Sequence, residues 1–188
     1  MRSRTGDVAA LLALAALAFV LAVPAIRNAG GTGSGPLNPG ISGAAGAGLS
    51  WDLGKSLSFG GGWIIRNPSD YPLTLDGVKA VGVVRHSPQL LGAYVVPLGD
   101  QVSDQMSWPG FRVPAAGQAL PGAVIRPHEK LQFVLRLRTT KRGRHTVRAV
   151  DILYHDGLVH YRVRAAYTIT ICTPNTMKPC EDALWLGH

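Results

Sequence analysis

Seven basic residues crowd one stretch of the chain at spacings that let them act together: Arg136 and Arg138, then Lys141, Arg142 and Arg144, then Arg162 and Arg164. A guanidinium grips a carboxylate or a phosphate through two parallel N–H donors. Arginines two apart in an extended strand present such forks on one face. If the strands that carry Arg136/Arg138 and Arg162/Arg164 share a sheet, the four form a plaque capped by the basic turn between them. Its chemistry would be attraction of an anionic lipid, an acidic wall polymer or an acidic protein, at about 1 kcal/mol per basic residue near a charged membrane surface. The same residues also serve a solvated strand face that resists edge-to-edge pairing.

Other groups that could do chemistry are sparser. His155 and His160 flank Asp156-Gly157, and His145 lies a strand earlier. Two imidazoles and a carboxylate suit zinc or copper. The spacing matches no specific metal motif, so these read as surface histidines, and no metal or other cofactor is expected. Met106, Trp108 and Phe111 sit in the Gly/Pro-rich stretch Gly99 to Arg126. Large apolar residues on a long loop either dock a partner or fold down over one end of the domain. Cys172 and Cys180 are the two cysteines. A bridge between them would close a loop of about nine residues and stabilise by about 2.5 kcal/mol. The seven residues between them do not fit the CxxC spacing of a redox or metal pair. No GxSxG, HExxH, P-loop or GxGxxG sequence occurs, and no acidic pair is placed for acid–base work. An enzyme is not expected; a hydrolase whose triad meets only in space is the third reading.

The elements that must position these groups are strands. Leu57, Phe59, Trp63 and Ile65 alternate, with Gly60-Gly61-Gly62 permitting a bend between them. NPSDYP, residues 67–72, has turn composition. Pro72 to Val84 continues as a strand with a bulge or bend at Asp76-Gly77. Leu90 to Leu98 is a further strand, and a short one is expected near Val124. Leu131 to Arg138, Thr146 to Tyr154 and Val159 to Cys172 alternate in turn, with a basic turn at 139–145 and a hairpin turn at His155-Asp156-Gly157. One apolar and one polar face per strand implies an antiparallel sheet covered on one side. About seven strands separated by turn signals imply a two-sheet sandwich of immunoglobulin-like type, with a small closed barrel as the second choice.

The N-terminus sets the compartment. Val8 to Ile26 is an uncharged run of about nineteen residues, with Arg2 and Arg4 before it and Arg27 after it. As a helix it covers about 28 Å, close to a bilayer's hydrocarbon core. The flanking charge puts the N-terminus in the cytoplasm and the remainder outside. Two readings fit: an uncleaved single-pass anchor in the cell membrane, or a signal peptide cut near Ala25 and a secreted product. Residues 28–50 are built from Gly, Ala, Ser, Pro and Asn and read as a flexible linker, leaving 51–188 for the sandwich. The formal net charge is +8, from 19 basic and 11 acidic residues. A basic domain outside the cytoplasm meets anionic surfaces rather than nucleic acid.

Two phrases carry a family likeness. WIIRNPSDYPLTLDGVKAVGVV, residues 63–84, resembles the opening hairpin of bacterial exported immunoglobulin-like domains. RAVDILYHDGLVHYRVRAAYTITIC, residues 148–172, resembles their closing hairpin. The resemblance implies a single-pass exported protein with an immunoglobulin-like or fibronectin III-like ectodomain, and transfers no active-site residue. The expected function is therefore a membrane-tethered, non-catalytic binding or assembly module that meets a protein partner or an anionic surface. The alternative is a secreted sandwich that binds a small ligand or a metal ion.

Overall fold

Period-two alternation builds this molecule, and its interruptions decide where strands end. The computed structural model describes residues 35–40, 45–60, 63–82, 86–100 and 115–173. The chain divides into two units, Met1–Thr32 and Gly33–His188, and every described residue belongs to the second. Among the described residues the fold is all-β, apart from a single 3-10 turn at Leu98–Asp100. No helix among them is long and apolar enough to cross a membrane. The Val8–Ile26 run lies outside the described residues, as do Met106, Trp108, Phe111 and Cys180.

Leu57, Phe59, Trp63 and Ile65 share one face as their spacing requires, and each is at most 1 % exposed. They come from β2 (Ser56–Phe59) and β3 (Ile64–Arg66) and from the loop between these strands. Both strands run antiparallel to β8 (Lys130–Arg138). Trp63 N–H donates to the Gly60 carbonyl at 2.7 Å, and Phe133 N–H donates to the Trp63 carbonyl at 2.7 Å, so the ladder resumes after the glycines. β8 also pairs with β5 (Gln89–Pro97), which pairs with the short β6 (Gln118–Ala119). A second sheet has the order β11-β10-β4-β7: His160–Ala165, Ala149–His155, Leu73–Val81 and Ala123–Ile125. The third has the order β1-β12-β9: Ala45–Ser50, Tyr167–Thr173 and Gly143–Val147.

The described strands are twelve short segments rather than about seven long ones. The expected strand Thr146–Tyr154 is split at Arg148, and Val159–Cys172 is split at Ala166. β9–β10 and β11–β12 form one long hairpin that changes sheet at that level. The register steps there, from Val150 opposite Ala165 to Val147 opposite Ile169. Two residues on one strand face three on the other, which is a bulge, and a bulge bends the ladder. The bulge or bend expected at Asp76-Gly77 is a bulge, with Leu153 opposite Gly77 and Tyr154 opposite Leu75.

The buried faces meet in one core, a β-sandwich interior. Trp63 packs on Phe133 with ring centroids 4.8 Å apart and stacks on Tyr167 at 5.9 Å, and Tyr167 also meets Phe59 at 5.4 Å. Tyr154 is fully buried in the same core, and burial pushes its phenol up to about 12.

Part of the stretch read as a flexible linker is built into the fold. Leu37 is 2 % exposed, its N–H donates to Tyr154 Oη at 3.1 Å, and Asn38 exchanges two backbone hydrogen bonds of 2.9 Å with Arg66. β1 then lies parallel to β12 over six residue pairs. Composition misleads here because the glycines serve close approach. A Cβ on Gly35 would meet the Tyr154 hydroxyl and the Tyr161 ring. One on Gly40, at φ 71°, would overlap the Ile64 carbonyl.

Asn67, fully buried at the end of β3, ties two connections together. Its Nδ2 donates to the carbonyls of Tyr71 (2.8 Å), Arg126 (3.1 Å) and Ile125 (3.2 Å), while its Oδ1 accepts from Ser69 N–H (3.0 Å) and Ser69 Oγ–H (2.6 Å). Asn67→Ala leaves the buried Ile125 carbonyl and the half-buried Tyr71 and Arg126 carbonyls without this donor and undoes the turn. The expected cost is about 2–3 kcal/mol, read as a lower urea midpoint at unchanged slope.

Candidate functional site

The outer face of β4, β10 and β11 gathers the polar groups. These strands bury Leu75, Val150, Ile152, Tyr154, Val163 and Ala165 on one side. Alternation sends the residues between them to the other side.

One cross-strand row consists of Lys79, Asp151 and Arg164, successive partners in the registers β4–β10 and β10–β11. Arg164 clasps Asp151 with both arms, Nε to Oδ1 at 2.7 Å and Nη2 to Oδ2 at 3.0 Å. The Arg162 Nε stands 3.9 Å from Oδ2. The hydrogen bonds from Arg164, with the charges of Arg164, Arg162 and Lys79, hold the Asp151 carboxyl below its ordinary value, although burial opposes this. The carboxylate side chain is 5 % exposed, while those of Arg162 and Arg164 are 51 % and 55 % exposed. Three cations thus surround one sheltered anion, and the face is left net positive.

A second cluster lies along the same face. His155 and His160 are directly opposite each other, as the last pair of the β10–β11 ladder. They therefore share a side, and their ring centroids are 5.1 Å apart. The carboxylate between them is not Asp156 but Asp76, the bulge residue of β4. His155 Nδ1 is 2.7 Å from Asp76 Oδ1, and His160 Nδ1 is 3.3 Å from Asp76 Oδ2. Asp156 is committed to the turn: it accepts Val159 N–H at 3.1 Å and Tyr161 O–H at 2.8 Å. The bond from Tyr161 holds the Asp156 carboxyl below its usual range. His145 takes no part. It is 1 % exposed in β9, with Nε2 2.8 Å from the Lys141 carbonyl and its ring 5.8 Å from that of His86.

The single arginine plaque does not form. β8 belongs to the β2-β8-β5-β6 sheet and β11 to the β11-β10-β4-β7 sheet, so Arg136 and Arg138 do not line up with Arg162 and Arg164. Arg138 instead donates to Gln89 Oε1 at 2.8 and 3.2 Å, and Arg136 reaches Ser56 Oγ at 3.4 Å. Arg142 and Arg144 are exposed, in the turn after β8 and on β9. Cys172 is buried in β12 and is not a free thiol.

No family model matches this chain, and no curated protein does. Among the solved structures that show some likeness are these two. One is the ASH/PapD-like domain of human CEP192 (PapD-like domain 7), at 11 % identity and TM-score 0.42, covering 76 % of this chain and 88 % of that one. The other is a non-cellulosomal cohesin from the hyperthermophilic archaeon Archaeoglobus fulgidus, at 13 % identity and TM-score 0.24, covering 76 % and 96 %. At those identities and scores neither likeness bears on function.

Asp151 gives the fold an acid limb. Its folded pKa lies below the unfolded value near 3.8. Its contribution is complete above that value and drains away as pH falls through the folded one. Asp151→Asn is therefore expected to melt at lower temperature than the parent at pH 7. The gap should shrink below about pH 4, measured as Tm against pH.

Proposed function

We propose that the chain is a membrane-tethered, extracytoplasmic, non-catalytic binding or assembly module on an immunoglobulin-like scaffold. Its contact surface is the outer face of β4, β10 and β11, and its partner is acidic. The observation that carries this is the row Lys79, Asp151, Arg164 with Arg162 beside it, in which half-exposed guanidinium groups outnumber the sheltered carboxylate that organises them. Asp151 holds the Nε/Nη2 edge of Arg164 through a two-pronged contact, so the guanidinium is fixed in place, its Nη1 side turned away from Asp151, before any partner arrives. Preorganised cations lose less freedom on binding a carboxylate.

The setting at the edge of a sheet supports the same reading. Among the described residues β11 pairs with β10 alone, so it stands at the end of that sheet order. Arginines along an edge discourage another β-strand from adding there, while leaving the face free for side-chain recognition. Tethering comes from the Val8–Ile26 run, and the extracytoplasmic location from the arginines before it. The Cys172–Cys180 bridge would suit such a compartment.

Two measurements test the two halves. In membranes from expressing cells, the chain should stay in the pellet through alkaline carbonate and leave it with detergent. Release by carbonate would remove the tether. The full chain in neutral detergent should bind labelled polyglutamate with an affinity that falls steeply as salt rises. The double substitution Lys79→Gln with Arg162→Gln, which spares the Arg164–Asp151 pair, should weaken it severalfold. Salt-independent binding, or none, would end the acidic-partner reading.

A further inference from the structure

Asp76, His155 and His160 are used neither by the core nor by the Asp151 row. We propose that they form a site for one divalent first-row transition ion, in which two imidazole nitrogens and a carboxylate oxygen are the protein ligands. Zinc and copper(II) are the ions whose chemistry fits that donor set.

The placement is that of a built site. Each ligand comes from a different one of three neighbouring strands: Asp76 from β4, His155 from β10 and His160 from β11. One ligand atom from each lies within 4.8 Å of the other two. Both rings direct Nδ1 at the same carboxylate, at 2.7 and 3.3 Å. An ion would displace the proton between each Nδ1 and the carboxylate, leaving the ring protons on Nε2 and the two Nδ1 lone pairs facing the Asp76 carboxylate that shares the ion. Bond lengths near 2.1 Å put the ligand atoms of a tetrahedral ion about 3.4 Å apart. Admitting an ion therefore needs His155 and Asp76 to part by about 0.7 Å and the wider ligand pairs, which lie within 4.8 Å, to settle toward the same spacing, through side-chain rotation.

The backbone explains why these three meet. The last rung of a β-hairpin places its two side chains on one face, which fixes His155 beside His160. The β4 bulge supplies the third ligand. Asp76 and Gly77 together face Leu153, so Asp76 is pushed out of the ladder on the side the rings occupy. The closest competing groups are engaged elsewhere. Asp156 holds the turn, and Arg162 points its Nε toward Asp151. The side chains of Asp76, His155 and His160 are 32 %, 26 % and 64 % exposed, so solvent reaches the cluster. Three protein ligands with solvent access leave a coordination position for water or for a donor from outside. His128 and Asp70, 2.9 Å apart and exposed, make a simple pair with no third ligand among the described residues and serve as the internal control.

The test uses the full chain in neutral detergent after treatment with a chelator. Calorimetric titration with zinc sulfate, and separately with copper(II) sulfate, should show one saturable equivalent for at least one ion. Asp76→Asn, His155→Gln and His160→Gln should each weaken it by at least about tenfold, and His128→Gln should leave it unchanged. A readout on the unaltered chain removes any dependence on how the variants fold. In NMR spectra the ring signals of His155 and His160 should move or broaden as zinc is added, while those of His86, His128 and His145 stay in place. Absence of saturable uptake of both ions, uptake indifferent to His160→Gln, or ring shifts centred on other histidines would each overturn the proposal.

Discussion

The fold turns on the side chain of Trp63. An indole buried to 1 % needs apolar neighbours on its faces and a partner for its N–H. Phe133 and Tyr167 supply the first from two different sheets, and the Pro39 carbonyl accepts the second at 2.8 Å. That one hydrogen bond explains why residues 35–40 are part of the domain. To bring Pro39 to the indole, Asn38 pairs with Arg66, Leu37 enters the core under Tyr154, and Gly35 and Gly40 pass where no side chain fits. The segment touches β3 on one side and β10 on the other, and it helps to hold the layers together.

The same parity that builds the core builds the polar face. Along β10, Val150, Ile152 and Tyr154 point inward and are at most 2 % exposed, while Asp151, Leu153 and His155 take the other side. Slipping β10 by one residue against its neighbours would turn a carboxylate and an imidazole into the apolar core and turn Val150, Ile152 and Tyr154 out of it. The Asp151 row and the histidine cluster are therefore held in place by the hydrophobic register, and neither needs a loop to position it. Residues on packed strands keep their geometry better than residues on loops.

What could be read from the chain follows the range of the interactions. Alternation is local, so the burial of Leu57, Phe59, Trp63 and Ile65, the turn at 67–72, the Asp76-Gly77 bulge and the short strand at Val124 all follow from neighbouring residues. Strand order is not local. Nothing in residues 130–165 says that β8 and β11 lie in different sheets, and that separation dissolves the four-arginine plaque. Asp76 is 79 positions from His155, and the link appears only once β4 is known to flank β10. The Gly-rich stretch was illegible for another reason. Low complexity normally signals disorder because such residues bury little, yet here small side chains are what the close passage requires.

The parallel course of β1 and β12 has a mechanical consequence. The chain enters β1 at Ala45 and leaves β12 at Thr173, and because the strands run the same way these points lie at opposite ends of the shared ladder. A pull that separates the two points acts along the strands. It loads all six rungs at once, in shear, instead of peeling them away one after another.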